Sequence, residues 1–145
     1  MKTDQNPEAG QWLPIFMRLA GEPVLVAGGG PEARRKIDRL LKHGARVDVL
    51  AGALEGPLET YCQRSRINRI DTLPSDGSGY RLVIVATSHD GLRLSALAFA
   101  SAHGIPVNAV DDPDNCTAIL PAIVDRAPIT IAIGSGGTAP ELARM

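Results

Sequence analysis

Two groups of residues carry chemistry that a folded chain of this size could use. The first lies in VLVAGGGPEARRK at 24–36, where Gly28, Gly30 and Ala33 keep the spacing G-x-G-x-x-[GA]. The first glycine permits a tight turn and the second lets a pyrophosphate come up to the backbone. A small third residue lets the following helix pack close to its strand. Gly28, Gly29, Gly30, Pro31 and Glu32 are therefore the candidate phosphate cradle, offering the N–H groups of a helix start to an anion. The second group lies in PVNAVDDPDN at 106–115, an apolar run that ends in Asp111 and Asp112, with Asp114 beyond a proline. Asp-Pro-Asp-Asn is good turn chemistry, and a carboxylate at the edge of a sheet can equally serve as a general base. Both readings stand on these residues alone.

Such groups need elements to place them. Pro23–Ala27 is an apolar run that stops at the glycines and predicts a strand. From Pro31 onward Ala33, Ile37, Leu40 and Leu41 recur at helical spacing, with Arg34, Arg35, Asp38, Arg39 and Lys42 facing outward. Pro31 suits a first helical position and Gly44 a C-terminal cap. Arg46–Leu50 alternates as a second strand. Residues 52–66, broken by Gly56-Pro57, are weakly helical at best, and Ile67–Ile70 is a short third strand. Leu82–Ala86 is apolar throughout, as in a strand covered on both faces of a parallel sheet. Asp90 is the expected cap of a helix running through His103, and Pro106–Val110 is the next strand. This alternation with short links is the signature of an α/β fold, a Rossmann-like doubly wound parallel sheet.

The tail differs. AILPAIVDR and PITIAIGS are β-branched stretches with a link too short for a crossover, so they predict an antiparallel pair. WLPIF at 12–16 is expected to be extended around its proline, and Thr138–Met145 to begin a helix. The chain thus divides into a dinucleotide-binding domain at 1–112 and a small β extension at 113–145. In open α/β sheets ligands bind outside the carboxyl ends of the strands, where Asp111 and Thr87 fall. Thr87 can touch a cofactor ribose or simply close a turn. The acidic reader of an adenosine 2′-OH belongs at the end of the second strand, where this chain has Leu50-Ala51-Gly52-Ala53. Ala51, Gly52 and Ala53 are the expected cofactor contacts there. Asp48 lies within the strand, so NAD and NADP are not distinguished.

Composition narrows the class. A chain of 145 residues with 44% hydrophobic residues can bury a real core. With 3% aromatics and a net charge of −1, nothing argues for nucleic acid or an anionic membrane as partner. The two cysteines, Cys62 and Cys116, lack metal-site spacing and are too few for a disulfide framework. No metal site is expected. The leader MKTDQNPEAG has no apolar signal core and no run is long enough to span a bilayer, so a cytoplasmic protein is the expectation.

The conjunction LPIF, VLVAGGGPEARRK, GARV, VIVATS, PVNAVDDP and LPAIVDRAPITIAIGSGGTAPELAR, in that order, resembles the siroheme synthase N-terminal domain family. These are precorrin-2 dehydrogenases, some of which are also sirohydrochlorin ferrochelatases. The resemblance runs from Leu13 to Arg144. It implies NAD-dependent oxidation of precorrin-2 to sirohydrochlorin, iron insertion in some members, a homodimer built through the β extension, and Asp111 as the acid/base group. In that setting Arg126, Ser135, Gly136 and Gly137 are candidate partners of the substrate's rim carboxylates. Ferrous iron would be a substrate, held by the macrocycle nitrogens. Ser88-His89 and Arg93 stand where acidic residues and asparagine are common in the family, and Gly134 replaces a usual serine. Members usually continue into a helical domain over the tetrapyrrole cleft. The alternatives are a non-catalytic NAD-binding, dimerising fragment and an unrelated small Rossmann oxidoreductase.

Overall fold

The computed structural model describes residues 11–134, and it divides into two compact units. Residues 18–118 form the larger. Its strands are β1 (Pro23–Ala27), β2 (Arg46–Leu50), β3 (Asn68–Ile70), β4 (Leu82–Val85) and β5 (Val107–Ala109). Its helices are α1 (Pro31–Lys42), α2 (Pro57–Gln63) and α3 (Asp90–Ala102). The five strands pair in the order β3-β2-β1-β4-β5, and every pairing is parallel. The chain therefore reverses its winding between β1 and β4, which opens a crevice at their carboxyl ends.

The sequence explains why the central strands are apolar on both faces. Leu25, Ala27, Val83, Val85 and Val107 pack with Ala96, Phe99 and Ala100 of α3 in one cluster. Side chains alternate along a strand, so Val24 and Val26 face the opposite side, where Ala33, Ile37 and Leu40 of α1 are buried. Each fully buried Leu, Ile or Val contributes about 1.5–3 kcal/mol. That is enough for this sandwich to fix the strand ends that carry the site.

Two local expectations change. The 52–66 stretch holds a definite helix, α2, started by Pro57 and anchored by the buried Leu58. Asp90 is not the cap of α3; it is the first helical residue, and His89 caps the helix, its Nδ1 accepting from the Leu92 N–H at 3.2 Å. The segment after β5 stays with this unit as far as Ala118, because Thr117 and Ala118 N–H groups donate to the Val107 carbonyl.

Among the described residues the smaller unit comprises 11–17 and 119–134. Its regular structure among the described residues is the antiparallel pair β6 (Ala122–Arg126) and β7 (Ile129–Ile133), in register from Ala122↔Ile133 to Arg126↔Ile129. The expected helix at Thr138–Met145 lies outside the described residues. Among the described residues no helix is long and apolar enough to cross a membrane.

Candidate functional site

A cavity of about 770 Å³ opens at the carboxyl edge of the large sheet, lined by the loops that leave β1, β2, β4 and β5. That is within the range of small-molecule and cofactor sites. The glycine loop forms one wall. A Cβ on Gly28, whose φ is +127°, would run into the Ala86 carbonyl, and one on Gly29 into the Ala53 carbonyl. Both are glycines because the backbone of a neighbouring strand end passes too close for any side chain. Gly30 differs. A Cβ there would meet only the Glu55 carboxylate, at 3.5 Å. Its bare face belongs to the cavity, with Pro31 and Glu32 of the first turn of α1 beside it. Gly30 caps α1 without a side-chain hydrogen bond, so the N–H groups of that turn are left for a ligand. Glycine loop and helix start together fit the pyrophosphate of a dinucleotide.

Asp111 forms the opposite wall. It is held at φ +59°, the left-handed region that costs an L-residue about 1–2 kcal/mol and that Asp and Asn tolerate best. The loop around it over-determines this conformation. Val110 N–H donates to Val85 and Asp112 N–H to Ala109. The Asp112 carboxylate takes Arg93 Nη1 at 2.6 Å and Asn115 Nδ2 at 2.8 Å. Cys116 Sγ lies 3.2 Å from both the N–H and the carbonyl of Ala109, and burial pushes its thiol above the usual range. Asp112 and Cys116 are thus fasteners, whereas the exposed Asp111 carboxylate faces the cavity. Lys36 on α1 lies within electrostatic reach of Asp111. Burial, with Arg39 and Arg35 nearby, lowers its pKa, and the Asp111 charge partly offsets this.

The site brings together Gly29, Gly30, Pro31, Glu32, Ala53, Thr87 and Asp111, all of which line this cavity. Thr87 Oγ1 also accepts from the His89 N–H at 3.1 Å, closing the turn before α3. Gly28 lies beneath the loop rather than on the wall. Ala51 is buried, its carbonyl accepting from Arg69 Nε, and Gly52 borders a second hollow with Leu54, Glu59 and Arg69. Arg126 belongs to the hairpin unit, where its Nη1 donates to the Asp125 carbonyl. Ser135, Gly136 and Gly137 lie outside the described residues. Asp48 does not face a ligand: its two oxygens accept from Tyr80 Oη at 2.5 Å and Asn68 Nδ2 at 3.2 Å. Sequence reasoning missed Glu55, Arg93 and Lys36. For Glu55 the signal was its distance from the glycine loop, about 20 residues past Ala33. Among the described residues no three or more His, Cys, Asp or Glu side chains are gathered as a metal site.

Comparison with known proteins gives the family and the fold. A family model described as "Putative NAD(P)-binding" matches residues 15–122. The chain is 46% identical over 135 residues to a siroheme synthase of Ectopseudomonas mendocina, covering 93% of this chain and 29% of that protein. It is 43% identical over 136 residues to the siroheme synthase of Methylococcus capsulatus, covering 92% of this chain and 28% of the relative. The chain thus spans less than a third of the length of these curated relatives. Among solved structures, SirC, a precorrin-2 dehydrogenase, superposes with a TM-score of 0.73 at 22% identity, over 92% of this chain and 66% of that one. The likeness to SirC is one of fold. The resemblance to siroheme synthases carried by the glycine, VNAVDDP and PAIVDR motifs is borne out.

Proposed function

This chain belongs to the NAD(P)-binding family matched over residues 15–122, and on that premise we propose that it is an NAD-dependent dehydrogenase that oxidises precorrin-2 to sirohydrochlorin. One observation carries the reading: Asp111, held in a left-handed conformation, opens onto the same cavity as the glycine loop and the start of α1. The siroheme synthase relatives and the SirC fold point to the same substrate class. Aromatising a partly reduced tetrapyrrole removes a hydride from one carbon and a proton from another. Bound NAD supplies the hydride acceptor. The N–H groups at Gly30 and the first turn of α1 hold the pyrophosphate, and Gly30 lets it approach. An Asp111 carboxylate oxygen takes the proton and returns it to solvent through the open mouth of the cavity. Arg93 and Asn115 keep the neighbouring Asp112 out of this role by occupying its carboxylate.

Iron insertion fits the same residue. Entry of ferrous iron into sirohydrochlorin displaces two pyrrole protons, which Asp111 can accept. A homodimer formed through the hairpin and a cytoplasmic setting complete the reading. The test is anaerobic incubation of the protein with precorrin-2 and NAD, following sirohydrochlorin absorbance. Asp111→Ala should lower turnover about 10²–10⁴-fold, as for a lost general base, with little change in NAD affinity. Asp114→Ala, which removes an exposed carboxylate of the same loop, serves as control. NAD binding without any turnover would select the non-catalytic alternative, and equal rates for parent and Asp111→Ala would remove Asp111 from the mechanism.

A further inference from the structure

The second strand of this sheet ends without the carboxylate that a dinucleotide's adenosine ribose ordinarily meets. Its own acid, Asp48, is spent on Tyr80 and Asn68. We infer that Glu55 takes that place: the loop after β2 folds back to set its carboxylate against the glycine loop, where it accepts the ribose hydroxyls of NAD and repels the 2′-phosphate of NADP. The inference rests on the dinucleotide-binding reading above and names the residue that sets its specificity.

Three observations carry it. Glu55 N–H donates to the Gly29 carbonyl at 2.8 Å, so the residue is fixed to the glycine loop by backbone, whatever its side chain. Its Oε2 lies 3.5 Å from where a Gly30 Cβ would be, so it reaches the bare face of the second glycine and lines the main cavity. Among the described residues no hydrogen bond to that carboxylate is formed, and the two oxygens of a carboxylate can accept from a vicinal diol.

A further observation concerns the cation that could have favoured NADP. Arg69, in the middle of β3, reaches past the end of β2, where its Nε donates to the Ala51 carbonyl at 3.0 Å. Its Nη2 donates to the Gly52 carbonyl at 2.8 Å and pairs with Asp71 at 2.8 Å. A guanidinium clamped by two carbonyls and a carboxylate is a poor host for a phosphate. A carboxylate five residues beyond the strand does the work of one at its end, because the fold-back shortens the path.

The test is titration calorimetry of the full chain with NAD and with NADP, at fixed salt, for the parent, Glu55→Gln and Glu55→Asp. The parent should prefer NAD by about 100-fold or more. In Glu55→Gln the preference should fall by about 10- to 100-fold, the range for a lost hydrogen bond to a charged group together with relief of repulsion. Glu55→Asp should lie between. Because the anchoring bond is a backbone one, thermal unfolding of the Gln variant should match the parent, so a change in preference is not a change in folding. An unaltered preference in a folded Gln variant that still binds NAD overturns the role of Glu55 and leaves dinucleotide binding intact. Tighter NAD binding by the Gln variant overturns it too, since the carboxylate would then oppose the pyrophosphate. Binding of neither nucleotide by the parent overturns both readings.

Discussion

Asp111 combines two properties that are rarely found together without a reason: a left-handed backbone and a carboxylate free to face a cavity. Strain of this kind persists only where the surroundings impose it, and here Asp112, Asn115 and Cys116 impose it from one side of the residue. Gly30 is the matching residue on the other wall. Its φ of −102° is open to any side chain, so Gly30→Val should fold, losing about 1 kcal/mol of stability for the poorer helix cap. The same variant should lose NAD affinity by at least about 100-fold, because its Cβ branch fills the space a pyrophosphate needs. Calorimetry with NAD and a melting curve on one sample check both halves. The glycine spacing made this position legible in the sequence. The strain at Asp111 was not legible, because positive φ at an aspartate follows from tertiary restraint rather than from neighbours in the chain.

At the scale of elements, the ends of strands and helices were the part that local patterns least determined. The central strands were evident from their apolar runs, since a buried parallel strand leaves few alternatives. The seven-residue α2 was not, because it shows too few turns for a period and depends on a single buried residue, Leu58. His89 replaced Asp90 as a cap because a neutral imidazole Nδ1 also accepts hydrogen bonds, an option the usual preference for Asp obscures. β2 is fastened to the segment before β4 by Tyr80, whose hydroxyl donates to Asp48. Burial, and then the Asp48 carboxylate, raise the Tyr80 phenol above its ordinary value of 10.0. A raised phenol keeps its proton longer in the folded state than in the unfolded one. The stability it contributes is therefore fully present below pH 10 and is lost as pH rises toward its folded value. Tyr80→Phe should cost about 1 kcal/mol at pH 7, a charge-assisted hydrogen bond discounted for partial exposure, and should flatten the alkaline loss. Urea unfolding at several pH values between neutrality and 11 measures it.

For the molecule as a whole, the two units divide the labour by chain segment. Residues 18–118 contain every described residue that lines the main cavity. The hairpin unit carries an uncovered apolar face: Val124 pairs across from Ile131 and shares a side with Ile129 and Ile133, all of them exposed. Leu13, Ile15 and Phe16, in the same unit, are exposed as well. Faces of this kind call for a partner. Ile131→Asp should shift the mass seen by light scattering at micromolar concentration from dimer to monomer while NAD affinity stays within about twofold, since the cradle lies wholly in the other unit. A parent that is monomeric at that concentration would count against the dimer. The β-branched tail made this pair legible as a hairpin, because its link is too short for anything else. The place of Glu55 was only half legible: its distance past the glycine loop stands in the sequence, but its seat against Gly29 depends on a backbone bond between loops far apart in the chain.

The three consecutive glycines also differ in what would preserve them over generations. Gly28 and Gly29 are enforced by the carbonyls of Ala86 and Ala53, so any descendant that merely folds must keep them. Gly30 answers to no other part of the chain's backbone. A lineage that retained this architecture but abandoned its nucleotide would let that single position drift while its two neighbours stayed fixed. The identity of residue 30 in a related chain is therefore a record of whether its ancestors were still being selected for a ligand.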